Sequence, residues 1–104
     1  MLLPADGPAV DAHALIGAAW GQEAEWIAVS VARLPAGFFE LRSGVAGELL
    51  QKLANHRLKL AVLGDVSEHV AASDAFRDFV REANRGQQVW FVADEAELRL
   101  KLSA

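Results

Sequence analysis

Residues 34–66, LPAGFFELRSGVAGELLQKLANHRLKLAVLGDV, decide the fold class of this chain. The stretch begins with a turn-rich lead-in, continues as a helix over about 44–55 and ends in an apolar strand over 58–64. One face of the helix carries apolar residues at a spacing of 3.6, which are Ala46, Leu49, Leu50 and Leu53. An amphipathic helix followed directly by a buried strand predicts one unit of an α/β fold.

The same alternation of helices and strands continues on both sides of this stretch. Helices are predicted from Asp11 to about residue 20, after Ser73, and after Asp94, where Asp94 and Glu97 resemble a capping box. The last helix competes with a strand, because its leucines alternate with charged residues. Strands are predicted at 26–31 and 89–92, with a candidate fourth at 1–3.

This order of elements predicts one small α/β domain over residues 1–104. Strands that alternate with helices are joined by right-handed crossovers, so the sheet is mainly parallel and flanked by helices on both sides. The tryptophans and the five phenylalanines occupy apolar positions and are expected in the core. A sheet of three or four strands leaves an edge to be covered, and a homodimer is one way to cover it.

Composition restricts the classes of function. The 104 residues include 53% apolar residues and carry a formal net charge of −4, which disfavours a broad nucleic-acid or anionic-membrane surface. The absence of cysteine excludes disulfides and thiolate chemistry. The start lacks a basic segment, and no window has the roughly 20 apolar residues that cross a bilayer. We therefore expect a cytoplasmic protein.

The polar residues can be sorted by the edge of the sheet at which they fall. Ligands of open parallel sheets bind at the carboxyl ends of the strands, where Arg42, Ser43, Gly44 and Asp65 are predicted. Residues 84–86, Asn-Arg-Gly, fall on the opposite edge and indicate a helix stop that tolerates positive φ.

Two interpretations of this edge remain open. The free N–H groups of a helix that begins at Ser43-Gly44 could accept an anion or a phosphorylated side chain, with Arg42 adding a charged contact. Alternatively, Ser43 only caps the helix while Gly44 and Gly47 permit close packing. Asp65 either contacts a ligand or bonds the backbone of its own turn.

No catalytic or metal-binding pattern is present in the sequence. The three histidines, His13, His56 and His69, are not spaced as metal ligands, and no hydrolase elbow, Walker A loop or dinucleotide fingerprint occurs. The sequence therefore predicts no catalytic residues, no metal and no cofactor.

The motifs FFELRSG, AGELLQK, LAVLGD and EANRG, in this order and at close spacing, resemble a bacterial family known as domain of unknown function 4180. The resemblance covers residues 11–102. Members usually carry a strand-rich segment before the first helix. The resemblance therefore implies that the N-terminal strand segment is shortened here to about ten residues.

A more distant resemblance links the order of elements to the STAS domain of anti-sigma-factor antagonists and sulfate-transporter tails. In the antagonists, a serine at the start of the helix after the central strand is phosphorylated by a partner kinase, and Ser43 falls on that position. The usual Asp-Ser-Ser-Gly is replaced here by Leu41-Arg42-Ser43-Gly44. The resemblance implies a STAS-like fold and a phosphoserine at Ser43.

Three functions follow as hypotheses. The first, favoured by the helix start at Ser43 and the missing catalytic groups, is a regulatory module that binds a protein partner. The second is a domain that binds a small ligand or an anion at Ser43-Gly44, with enzymatic activity left open. The third is a structural homodimer without a small ligand.

Overall fold

The computed structural model describes residues 1–103 and contains a three-stranded parallel sheet flanked by helices. The strands, in the order β1-β2-β3, are β1 (Trp26–Ser30), β2 (Lys59–Leu63) and β3 (Val89–Val92). The helices are α1 (Ala12–Ala19), α2 (Val45–Asn55), α3 (Ser67–Ala72), α4 (Asp74–Arg85) and α5 (Glu95–Ser103). The predicted α/β class, the parallel sheet and the flanking helices are confirmed.

The larger core lies on one face of the sheet. Alternate strand residues such as Ile27, Leu60 and Phe91 meet there with Leu15 of α1 and Phe76 of α4. Successive side chains of a strand point to opposite faces, so the alternate set forms a second, smaller cluster. That cluster contains Trp26, Ala28, Ala61, Trp90, Val92 and Leu98. Helix α5 therefore covers this second face through Leu98.

Both edges of the sheet are bonded by other parts of the chain. Leu2 forms an isolated parallel bridge with Ala28 of β1, and the Met1 ammonium donates to the Trp26 carbonyl at 2.9 Å, so the candidate fourth strand is reduced to a single bridge. On the other side, the Asn84 side chain accepts a hydrogen bond from the Phe91 N–H at 2.7 Å and donates one to the Phe91 carbonyl at 3.2 Å. An amide group thus takes the place that another strand would occupy beside β3.

The lead-in to α2 consists of three short 3₁₀ turns, Val31–Arg33, Ala36–Phe39 and Leu41–Ser43. Phe38 is fully buried, as expected, and fastens the middle turn to the core. The irregular segment therefore has a defined position against the sheet.

The first helix begins at its predicted cap, where the Asp11 carboxylate accepts the Ala14 N–H at 2.8 Å.

Several predictions of detail are wrong. Trp20 was expected in the core but is 80% exposed, because it follows the last inward residue of α1. Gly86 ends α4 at φ −93°, so the helix stop uses no left-handed residue. The chain between Asp65 and Ser73, where the sequence predicts no helix, contains the six-residue helix α3.

The ambiguous C-terminal segment is a helix. The Asp94 carboxylate accepts the Glu97 N–H at 2.9 Å and caps α5, which is the N-cap bond of the predicted capping box. None of the helices within residues 1–103 combines the length and the apolar character that crossing a membrane requires.

Candidate functional site

Ser43 lies at the surface, two residues before the first residue of α2, and its hydroxyl closes the last 3₁₀ turn. Its Oγ is 2.7 Å from the carbonyl oxygens of both Gly37 and Glu40, which share the single hydroxyl proton. The same oxygen accepts the Val45 N–H at 3.2 Å. Ser43 therefore connects the segment before the helix to the first residue of the helix.

The residue that caps α2 is Gly44, not Ser43. Gly44 has φ 78° and ψ −4°, in the left-handed region that favours glycine, and its carbonyl accepts the Glu48 N–H at 2.9 Å. Ser43 satisfies one helix N–H from the preceding 3₁₀ turn. The expected serine cap is thus corrected by one position, although the serine oxygen still bonds the helix.

Close packing occurs at a different glycine from those predicted. A Cβ placed on Gly44 or Gly47 would meet nothing within 4 Å, so neither glycine serves close packing. A Cβ on Gly37 would lie 2.8 Å from the Val45 side chain and 3.2 Å from the Ser43 Oγ. Gly37 is therefore the residue that allows the 3₁₀ segment to approach the start of α2.

Asp65 bonds the backbone of its own turn, which is one of the two roles that its position suggested. Its carboxylate accepts the Ser67 N–H at 2.8 Å at the start of α3. Hydrogen bonds from the Ser67 side chain and backbone lower the pKa of the exposed Asp65 below its ordinary value. Asp65 borders a cavity with Val66 and Glu97, separate from the one that Arg42 lines.

The cavity that contains Arg42 lies between the 3₁₀ segment and the junction of α3 with α4. Its volume is about 800 Å³, and its polar lining residues are Glu40, Arg42, His69, Ser73 and Asp74. The Phe39 and His69 rings, both on its wall, stack with centroids 3.8 Å apart and planes 6° apart. The structure thus groups Arg42 with residues of α3 and α4, and not with Asp65.

Sequence reasoning missed two groupings that this structure brings together. The sequence indicates no role for His69, which has no partner at metal-ligand spacing, yet its ring stacks on Phe39. Asn84 was interpreted only as part of a helix stop, yet its side chain bonds Phe91 seven residues later. In the sequence, Asn84 is only a polar residue near the end of a helix, and that position does not indicate which residue it bonds.

The Arg42 cavity carries several polar groups. Within residues 1–103, no three or more His, Asp or Glu side chains are grouped to hold a metal ion. The polar groups on the Arg42 cavity include a cation, an imidazole, a hydroxyl and two carboxylates. These groups can form hydrogen bonds and ion pairs with a bound molecule.

Comparison with known proteins extends the assignment from fold to family. Neither curated proteins nor solved structures give a significant match to this chain. A family model described as domain of unknown function (DUF4180) matches residues 7–102, which include every strand, the Ser43 turn and the Arg42 cavity. The chain therefore belongs to the DUF4180 family.

Proposed function

We propose that this protein is a non-catalytic regulatory module of STAS-like type that binds a protein partner at the carboxyl edge of its sheet. The observation that carries the proposal is the position of Ser43. Ser43 is exposed, and its hydroxyl bonds the carbonyl oxygens of Gly37 and Glu40 and so closes the last 3₁₀ turn. Glu40 and Arg42 belong to this part of the chain, and both line the cavity. A modification of this one oxygen therefore acts directly on the wall of a surface cavity.

Phosphorylation of Ser43 supplies a physical mechanism for regulation. A phosphate on Oγ removes the shared proton and brings close to two negative charges toward the carbonyl oxygens of Gly37 and Glu40. Repulsion opens the turn, and the adjacent Arg42 offers a cation to the new phosphate. The wall of the cavity changes shape in consequence, and a partner that binds there is released or recruited.

Affinity capture from extracts of the source organism tests this proposal. Wild type, Ser43→Ala and Ser43→Asp are compared with Ser103→Asp, since Ser103 is also exposed and its hydroxyl also bonds backbone carbonyls, in α5. We expect one partner whose recovery changes about tenfold with Ser43→Asp, equivalent to about 1.4 kcal/mol, and not with Ser103→Asp. Identical partner sets for all four proteins would contradict the proposal.

The Arg42 cavity favours a second candidate, a domain that binds a small ligand or an anion. Pockets for small molecules commonly occupy about 300–1,000 Å³, and this one is about 800 Å³. Thermal unfolding in the presence of small carboxylates, phosphates and nucleotides tests it, because a ligand of the native state raises the unfolding temperature. A flat response to all of them at millimolar concentration argues against this candidate.

A further inference from the structure

The Arg42 cavity has a flat aromatic group that is held in place before any ligand arrives. Phe39 stacks on His69, and its ring also contacts Phe38 and Phe76 edge-on, each with centroids 5.7 Å apart. Phe38 and Phe76 are fully buried. The stacked pair is therefore anchored to the core, and it offers a planar molecule a contact that needs little rearrangement.

Polar groups on the same wall remain available to a ligand. Within the part of the chain that the structure describes, Arg42 forms no ion pair and its side chain donates no hydrogen bond. His69 likewise shows no side-chain hydrogen bond to any of residues 1–103. A guanidinium group binds a carboxylate through two parallel hydrogen bonds, so Arg42 fits a carboxylate ligand.

The other charges of the wall distinguish a carboxylate from a phosphate. Glu40 and Asp74 also line the cavity, and Asp74 is paired at 3.3 Å with Arg77, which is not among the lining residues. Coulomb energy scales with charge, so a phosphate dianion is attracted by Arg42 and repelled by the two carboxylates about twice as strongly as a carboxylate monoanion. The second charge of a phosphate therefore gains no net attraction on this wall. The cavity lacks the surplus of positive charge that a phosphate site requires.

We propose that this cavity binds a small aromatic monocarboxylate. Arg42 holds the carboxylate, and the Phe39–His69 pair contacts the ring. The alanines at positions 36, 72 and 75, which also line the cavity, leave space for that ring. This inference rests on the second candidate function above and deepens it by naming the class of ligand.

Phenylacetate is the probe that tests the inference. Backbone amide shifts of the ¹⁵N-labelled chain are followed by NMR as phenylacetate, uncharged phenylacetamide or inorganic phosphate is added. We expect saturable shifts at Arg42, His69 and Ala75 with phenylacetate in the millimolar range, because the probe has few atoms and one charged contact. The amide and the phosphate should bind about tenfold more weakly, the amide because it lacks the charge-assisted pair.

Arg42→Gln and Phe39→Leu are the matched variants, with Arg85→Gln as the control. Arg85 is an exposed arginine near the end of α4 and outside the cavity lining. We expect Arg42→Gln and Phe39→Leu to weaken phenylacetate binding, Arg42→Gln by about tenfold, and Arg85→Gln to leave it unchanged. Equal binding of phenylacetamide, tighter binding of phosphate or an unaffected Arg42→Gln overturns the proposal.

The outcome is independent of the Ser43 experiment. The titration uses purified protein without a partner, so a missing partner in the capture experiment does not alter it. An absence of shifts at the cavity refutes the aromatic carboxylate and leaves the capture result as it stands.

Discussion

At the scale of single residues, local hydrogen bonds determine the structural role of each polar side chain at the carboxyl edge of the sheet. The sequence predicts Ser43 and Asp65 at the same edge because both follow predicted strands. In the structure, each bonds the backbone within its own segment, Ser43 across the 3₁₀ turn and Asp65 to Ser67. Binding roles for Arg42, Ser43, Gly44 and Asp65 remain predictions, and the tests above address the first two.

Asp65 allows a prediction about pH. Because its pKa is lowered in the folded protein, its contribution to stability is complete above the ordinary value of 3.8. The contribution is lost as the pH falls through the lowered pKa. We expect Asp65→Asn, which keeps an acceptor but does not titrate, to lose less stability than wild type across this acid range.

Urea unfolding at a series of pH values below 5, with the side-chain carboxyl shift of Asp65 measured by NMR, checks this prediction. Asp6, an exposed aspartate near the N-terminus, supplies the control substitution, Asp6→Asn. If Asp65 titrates at or above 3.8 in the folded protein, the argument from the Ser67 hydrogen bonds is wrong.

At the scale of elements, hydrogen bonds that no periodic sequence pattern predicts join α4, β3 and α5. Helix α4 is linked to β3 by the Asn84 amide, and the Lys101 ammonium of α5 donates to the Asn84 carbonyl at 3.0 Å. The Trp90 indole N–H donates to the Gly86 carbonyl at 2.8 Å. Asn84-Arg85-Gly86 is thus a junction between α4, β3 and α5 as well as a helix end.

We expect Asn84→Ala to destabilise the fold by about 1–3 kcal/mol, since it leaves a partly buried N–H and carbonyl of Phe91 without their partner. Urea unfolding measures the loss, and hydrogen exchange of the Phe91 amide localises it. Arg85→Ala is the matched control, because Arg85 is the next residue and is 71% exposed. Equal stability of the two variants would show that the amide does not hold β3.

At the scale of the whole molecule, the hydrogen bonds along the edges of the sheet bear on the predicted homodimer. The segment from Met1 to Leu3 bonds β1, and Asn84 bonds Phe91 of β3, so the chain itself supplies partners for part of each edge. A homodimer is therefore not needed to satisfy these particular backbone groups, and the predicted homodimer stays a prediction. Among the large apolar side chains, Trp20 and the α5 residues Leu100 and Leu102 are exposed.

Phe38 and Trp20, both predicted in the core from the sequence, should differ sharply in how much their substitution lowers the free energy of unfolding. Phe38 is fully buried, so Phe38→Ala is expected to cost about 3–5 kcal/mol, a large part of the roughly 5–15 kcal/mol that stabilises a typical domain. Trp20 is 80% exposed, so Trp20→Ala should change stability by less than about 0.5 kcal/mol. Thermal and urea unfolding followed by circular dichroism measure both, and a comparable loss for Trp20→Ala would place that ring in a packed environment.

The sequence by itself determined the alternation of the three strands with four of the five helices, the parallel α/β class, the family, and the caps at Asp11, Ser73 and Asp94, whose side chains accept the Ala14, Phe76 and Glu97 N–H groups. These features are local or periodic, because hydrogen bonds of a helix cap and the spacing of a buried face involve residues close in the chain. The sequence did not predict α3 or the exposure of Trp20, and it did not show that the candidate strand at residues 1–3 is reduced to a bridge, since each depends on what the rest of the chain packs against.

Only the tertiary structure decided which polar residues share a surface. It placed Arg42 beside His69 and Asp74 in one cavity and put Asp65 at another, although both follow strands at the same edge. It also turned Asn84 into a partner of β3. Such neighbours come from different elements, and their separation depends on loop conformation and helix packing, which leave no periodic trace in the chain.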